Sequence, residues 1–350
     1  MTKFLSFSLA FLLWACASGD SGSSSTEESD QTMIPLAVDD QVVTMVNYTR
    51  AFTNLTINDK YTSQASIKLT ASSQSGGQLE LISGVVHYTP PTDFVGMDTF
   101  SYQLCTDSDF CSTAQVEVEV LPSIPLNVPE ELKGYYSGLQ LCANSGVNEE
   151  ILSALTQSQH TTILSYGQRH NYLYNADADL NEPTKVVLMY SGELRYWEEY
   201  TSGNNPYTPQ TFNTEHVYPQ SKLNSDDAIT DLHHLRTCDA EVNSNKSNYA
   251  FTDGSGNYGV KSGKWYPGDD WRGDVARMMF YLHIRYNENL TTMGGINLFL
   301  KWHVEDPVSE LERQRNEVIV SAQGNRNPFI DNPYLATLIW GGEAAENLWE

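Results

Sequence analysis

Phe212-Asn213-Thr214-Glu215-His216-Val217-Tyr218-Pro219-Gln220-Ser221 opens the stretch on which the reading of this chain turns. Thr230-Asp231-Leu232-His233-His234-Leu235-Arg236 and Glu241-Val242-Asn243-Ser244-Asn245-Lys246-Ser247-Asn248-Tyr249 complete it. Polar side chains sit here where a purely structural chain would place apolar ones. Glu215-His216 belongs to a β-prone stretch, and His233-His234 is expected inside a strand flanked by Leu232 and Leu235. Asn243, Asn245 and Asn248 crowd a short helical segment that Thr237 or Asp239 can cap. Asn competes with the helix for backbone hydrogen bonds, so such a cluster needs a reason beyond propensity.

Phosphodiester hydrolysis supplies one. It needs a base to deprotonate water and a hard cation to neutralise charge on the phosphate and the departing oxygen. Imidazole suits the base because its pKa lies near working pH. A carboxylate and an amide oxygen suit Mg²⁺, which prefers oxygen ligands and keeps several waters. Glu215, His216 and Asn243 meet these requirements. Neighbours on a regular strand face opposite ways. Glu215 and His216 therefore share a site only if the strand bends or ends there, and Pro219 is the nearest breaker.

These blocks resemble the ββα-metal (His-Me finger) core of the endonuclease I family. Its pattern is Glu-His with a following Pro, then Asp-Leu-His-His-Leu, then Glu-Val-Asn with a basic-Ser-Asn ending. Tyr135-Tyr136, Val187-Leu188-Met189-Tyr190-Ser191-Gly192, Tyr266 to Arg277 and Gln323 to Asp331 resemble further blocks, so the likeness runs over about residues 126–341. It implies Glu215 and Asn243 as metal ligands and His216 as general base. The implied cofactor is Mg²⁺, with Ca²⁺ or Mn²⁺ as substitutes. The implied substrate is DNA and/or RNA, held by shape and backbone without sequence preference, with no obligate protein partner. Asp231, His233, His234, Lys246 and Asn248 stand around this centre as braces or substrate contacts. The chain departs from the pattern twice. Thr214 stands where many relatives carry Arg or Trp. Between Ser221 and Asp231 no counterpart exists to the arginine that stabilises the transition state in some members; Arg277, Arg326 and Arg236 are the candidates.

Around this stretch the sequence predicts an α+β domain over 130–350. Helical periodicity marks Glu149 to Thr156 and Asp274 to Tyr286, the latter with Val275, Met278, Met279, Leu282 and Tyr286 on one stripe. Val186 to Tyr190 is strand-like. Pro122, Pro125 and Pro129 mark an extended linker over 122–129. Before it, 35–121 reads as short strands; Val116-Glu117-Val118-Glu119-Val120 alternates as a half-buried strand does. About ninety residues of this kind suggest an all-β sandwich. Val86 to Tyr102 resembles the closing strands of bacterial Ig-like and cadherin-like repeats, which implies a spacer or adhesive module.

The first 15 residues read as a signal peptide: Lys3, then an apolar run from Phe4 to Ala15, too short to span a bilayer. Leu13-Trp14-Ala15-Cys16 resembles a lipobox, which implies a lipid on Cys16. Residues 16–34 are then a solvated acidic tether. The expectation is an exported protein, an outer-membrane lipoprotein or cell-surface protein, otherwise secreted. In that oxidising setting Cys105 and Cys111 are expected to pair, and Cys142 with Cys238.

Composition is globular, with 40% hydrophobic and 18% charged residues. The net charge of −24 argues against tight, sequence-independent duplex binding, which is usually cationic. From residue 126 on, 30 Asp+Glu still face 16 Lys+Arg, so any nuclease here must gather positive charge locally or take it from a cation. Two other readings compete. One is a zinc hydrolase using His216, His233, His234 and a carboxylate, weakened by the lack of a His-Glu-x-x-His helix. The other is a non-enzymatic surface-binding lipoprotein whose sandwich does the work.

Overall fold

The computed structural model describes residues 34–61, 65–69, 72–107 and 109–350. The expected leader, Cys16 and nearly all of the tether lie outside those residues. Among the described residues the N-terminal domain carries seven strands: β1 (Asp40–Met45), β2 (Arg50–Phe52), β3 (Ser66–Leu69), β4 (Gln78–Ile82), β5 (Val85–Thr89), β6 (Gly96–Cys105) and β7 (Cys111–Leu121). They form two sheets, in the orders β1-β7-β6-β3 and β2-β5-β4, with β1 parallel to β7. The alternation read in β7 buries Val116, Val118 and Val120 while Glu119 points to water. These valines meet Val86, Tyr88, Phe100 and Tyr102 in one core, the two-sheet packing of an Ig-like sandwich. A disulfide between Cys105 and Cys111 fastens the β6–β7 hairpin at its tip.

The second domain interleaves helices and short strands: α1 (Ser145–Gln159), α2 (Leu173–Ala176), β8 (Lys185–Val187), β9 (Leu194–Tyr196), β10 (Phe212–His216), β11 (Leu235–Asp239), α3 (Ala240–Lys246), β12 (Gly259–Lys261), β13 (Lys264–Tyr266), α4 (Arg272–Tyr286), α5 (Ile296–Glu305), α6 (Glu310–Gln323), α7 (Pro328–Asp331) and α8 (Tyr334–Trp340). α4 is the axle. Every residue from Gly273 to Leu282 is buried, because α1, α5 and α7 pack around it. Gly273 permits the closest of these approaches: a Cβ there would lie 2.0 Å from the Asp306 carbonyl oxygen. That contact explains the Gly in the Trp271-Arg272-Gly273-Asp274 block. The stripe predicted on α4 faces the core, though Tyr286 is only partly covered. Among the described residues no helix is long and apolar enough to cross a membrane.

β10 and β11 pair antiparallel, Phe212 opposite Asp239 through His216 opposite Leu235, and α3 follows at once and packs back on both strands. Asp239 caps α3, accepting from the amides of Glu241 (2.9 Å) and Val242 (3.1 Å). His233 and His234 are not inside a strand as expected; they lie in the turn before β11, where their rings reach backbone carbonyls. The expected Cys142–Cys238 bridge is also corrected. Both thiols are free and buried in different apolar clusters, Cys238 in the main core and Cys142 at the seam between the domains. At that seam Met45 and Val46 pack on Cys142 and Val147, and Arg50 grips both oxygens of Glu150 at 2.9 and 2.6 Å.

Candidate active site

Glu215, His216 and Asn243 line one open cleft of about 500 Å³, together with Thr214, Ser221 and Asn248. The strand difficulty resolves locally. β10 ends at His216 and the chain turns away through Val217 to Pro219, so the last two strand residues can serve the same cleft.

The imidazole of His216 is fixed by a peptide oxygen. Its Nε2 lies 3.0 Å from the carbonyl oxygen of Ile229. A carbonyl only accepts, so Nε2 carries the hydrogen and Nδ1 keeps its lone pair. Burial, then the neighbouring His234, hold the His216 pKa down at about 3, so the ring is neutral at neutral pH. Tyr166 stacks on the ring at 5.7 Å between centroids.

Glu215 is only 3% exposed, yet it is not idle. Tyr190 donates to its Oε1 at 3.0 Å and Lys246 Nζ stands 3.1 Å from the same oxygen. Burial raises the carboxyl pKa, and the Lys246 charge and these hydrogen bonds oppose that rise. Lys246 is wholly buried; it also donates to the Val217 carbonyl and stands over the Phe251 ring, so it braces Glu215 from inside rather than facing solvent. Asn243 spends its Nδ2 on Asn213 Oδ1 (2.6 Å) and the Thr214 carbonyl (3.2 Å). Its Oδ1 accepts from no protein group among the described residues. One carboxylate and one amide oxygen, both hard donors on the wall of an open cleft, fit a hard dication that keeps most of its water.

The other predicted residues fall elsewhere. Asp231 is buried in a knot of hydrogen bonds, accepting from the His233 amide (2.9 Å), Tyr286 (2.8 Å) and Gln323 (3.0 Å), and also from Tyr281. His233 donates to the Asn325 carbonyl and His234 to that of Ala228, one residue before the carbonyl that holds His216. They support the turn and do not enter the cleft. Arg277 and Arg326, expected as sources of positive charge, are corrected. Arg277 is 1% exposed and bidentate to Glu312 at 2.5 and 2.7 Å; Arg326 is bidentate to Asp331 at 2.7 and 2.8 Å. Arg236 is likewise spent on Asp177 and Asp274. None lines the cleft, because each neutralises buried carboxylates behind it. Sequence reading placed Tyr190 in a matching block without giving it a role, and missed Ile229, which acts through its backbone. In a larger cavity of about 800 Å³, lined by Glu149, Glu150, His283 and Arg285, the histidine is engaged at both nitrogens, Nδ1 with the Glu288 carbonyl (2.9 Å) and Nε2 with Glu149 (3.2 Å), so it has no free lone pair.

Known proteins resemble both halves. The endonuclease I family profile matches residues 148–334 and that of the bacterial Ig domain matches 32–119. An extracellular ribonuclease of Bacillus amyloliquefaciens is 38% identical over 209 residues, 52% of this chain and 70% of its own length. An extracellular ribonuclease of Bacillus subtilis is 36% identical over 234 residues, 59% of this chain and 78% of its own. A periplasmic deoxyribonuclease of Aeromonas hydrophila is 32% identical over 112 residues, 29% of this chain and 47% of its own.

Proposed function

The chain belongs to the endonuclease I family and is a nuclease, and from that premise we propose that it is an exported, Mg²⁺-dependent, largely sequence-nonspecific endonuclease of DNA and RNA. β10, β11 and α3 form its ββα-metal (His-Me finger) core, with Glu215 and Asn243 as ligands of the metal and His216 as general base. When bound, Mg²⁺ neutralises charge on the phosphate and on the leaving oxygen. His216 Nδ1 takes a proton from water; the water oxygen bonds to phosphorus as the P–O3′ bond breaks, and the departing 3′-oxyanion takes a proton from a second water, leaving a 5′-phosphate and a 3′-hydroxyl. The Ile229 carbonyl keeps the ring in the tautomer that does this, and the incoming phosphate anion raises the basicity that burial lowers.

One observation carries the reading: the lone pair of His216 Nδ1 is left free by the Nε2–Ile229 bond in the same cleft as Glu215 and Asn243. The named ribonucleases, matched over more of their length than the deoxyribonuclease, support RNA as a substrate beside DNA. Their extracellular and periplasmic labels support export, and a lipid on Cys16 would tether the protein to the outer membrane. Zinc chemistry through His216, His233 and His234 is less well supported, since two of the three rings are turned to backbone carbonyls away from the cleft. The test is incubation of the purified protein with plasmid and with RNA, in Mg²⁺ or EDTA, beside His216→Ala. Cleavage in Mg²⁺ that disappears in both controls supports the reading. A folded wild type inert on both substrates overturns it, and rescue by Zn²⁺ alone selects the zinc hydrolase.

A further inference from the structure

In a chain with 44 acidic against 20 basic residues, positive charge is scarce and mostly consumed. Arg236, Arg277, Arg315 and Arg326 are held by buried carboxylates, and the more exposed arginines also pair with acids. Among the described arginines only Arg169 and Arg285 have no carboxylate within 4.0 Å; of the lysines, Lys60, Lys222, Lys261 and Lys264 also have none, and none of these four lines the cleft. Arg285 lies at the larger cavity beside His160. Arg169 lies beside the cleft.

Arg169 is only 9% exposed, and every partner it has is neutral. Its Nε donates to Thr214 Oγ1 at 3.0 Å, one Nη donates to the Tyr166 carbonyl, and its Cζ stands 3.5 Å over the Tyr166 ring. Both supports touch the site. Thr214 precedes Glu215 and lines the cleft, and the same Tyr166 ring stacks on His216 at an interplanar angle of 14°. The guanidinium is thus posted one ring away from the base, with Nη2 uncommitted to any protein group among the described residues. Burying a cation without a counter-anion is costly, and a guanidinium's planar fork matches the oxygens of a phosphate.

Resting on the nuclease reading, we propose that Arg169 is the phosphate-binding cation of the cleft, receiving a non-bridging oxygen of the phosphodiester beside His216. Thr214 and the face of Tyr166 hold it in place. Its sequence position, some 45 residues before the Glu-His pair, kept it out of the arginines considered from the motifs.

The test combines cleavage with binding. Arg169→Met, Arg169→Lys and Arg285→Met are made in the full chain, and circular dichroism checks folding. In Mg²⁺, Arg169→Met should lose about 10²-fold in kcat/KM on RNA and plasmid, Arg169→Lys should recover part of that, and Arg285→Met should match wild type. In a His216→Ala background, binding of a fluorescein-labelled single-stranded oligonucleotide is followed against salt. Arg169→Met should lower the slope of log K against log salt by about 0.7, the loss of one phosphate contact. Wild-type kcat/KM and an unchanged slope in folded Arg169→Met overturn the proposal while leaving the nuclease reading intact. An inert wild type removes both. Should Arg169→Met not fold, Arg169→Lys decides alone: reduced kcat/KM with its charge kept supports the forked contact, and full activity overturns it.

Discussion

The cleft and the charged layer behind it are built from the same residue types but are wired oppositely. Behind the cleft Arg236, Arg277 and Arg315 meet Asp177, Asp274 and Glu312, and their donors are largely turned on protein acceptors. In the cleft His216 keeps a free lone pair and Asn243 a free oxygen. The contrast teaches that the cleft differs from the layer behind it in its neutral groups: an imidazole nitrogen and an amide oxygen are left without protein partners, while Glu215, like the buried acids, is paired with a cation. In the sequence Arg277 and Arg326 stand open between phosphate contact and a buried ion pair, and the fold gives each the ion pair.

The sharpest way to break that comparison is His216→Ala. It should lower kcat by about 10²–10⁴-fold, the usual worth of a general base, with only a small fall in thermal midpoint, since one bond to Ile229 and the stack on the partly exposed Tyr166 ring are lost. Plasmid nicking and calorimetry measure the two sides; an unfolded variant would put His216 with the structural layer instead. Arg277→Met should do the reverse. Leaving Glu312 buried without its cation should cost about 3–5 kcal/mol of stability, read by urea unfolding, with cleavage per folded molecule retained. Loss of activity without loss of stability would return Arg277 to the catalytic list.

Acid should act on the buried layer in a definite direction. Burial pushes His233 and His234 from 6.5 down to about 4. The unfolded chain therefore binds protons first, so their contribution is complete above pH 6.5 and drains away between 6.5 and about 4. For Asp231, burial raises the carboxyl, but His233, His160 and the hydrogen bonds from Tyr281 and Gln323 outweigh it and hold it below the usual range. Its share is present above the ordinary carboxylate pKa and is lost at still lower pH. His233→Gln should flatten the fall of stability between pH 6.5 and 4 in stepped urea melts; an unaltered slope would mean the ring is already charged in the fold. The smallest effect belongs to the domain seam. Arg50→Ala removes a partly exposed ion pair and should cost no more than about 1 kcal/mol, with cleavage of RNA unchanged.

Strand alternation in β7 and the apolar stripe on α4 were legible because burial imposes a period on sequence. Glu215, His216 and Asn243 were legible as a set because polar side chains crowd where propensity disfavours them. Their convergence was not, since it depends on β10 stopping at His216 and on α3 folding back across it. Cys142 and Cys238 paired on paper by elimination, yet distance in three dimensions leaves no trace in spacing. Lys246 stands open in the sequence between brace and substrate contact, because its position in the Asn-rich block says nothing of which way it points; it points inward, to Glu215.

Ile229 reaches the imidazole through its main chain, in the short turn Asp227–Thr230. No exchange of the isoleucine side chain can delete that acceptor, so position 229 is free to drift among apolar residues with the imidazole's hydrogen bond untouched. An insertion or deletion in the same turn would move the oxygen itself and let the ring flip. What this segment must conserve is its length and path, and a comparison of residue identities alone would overlook it.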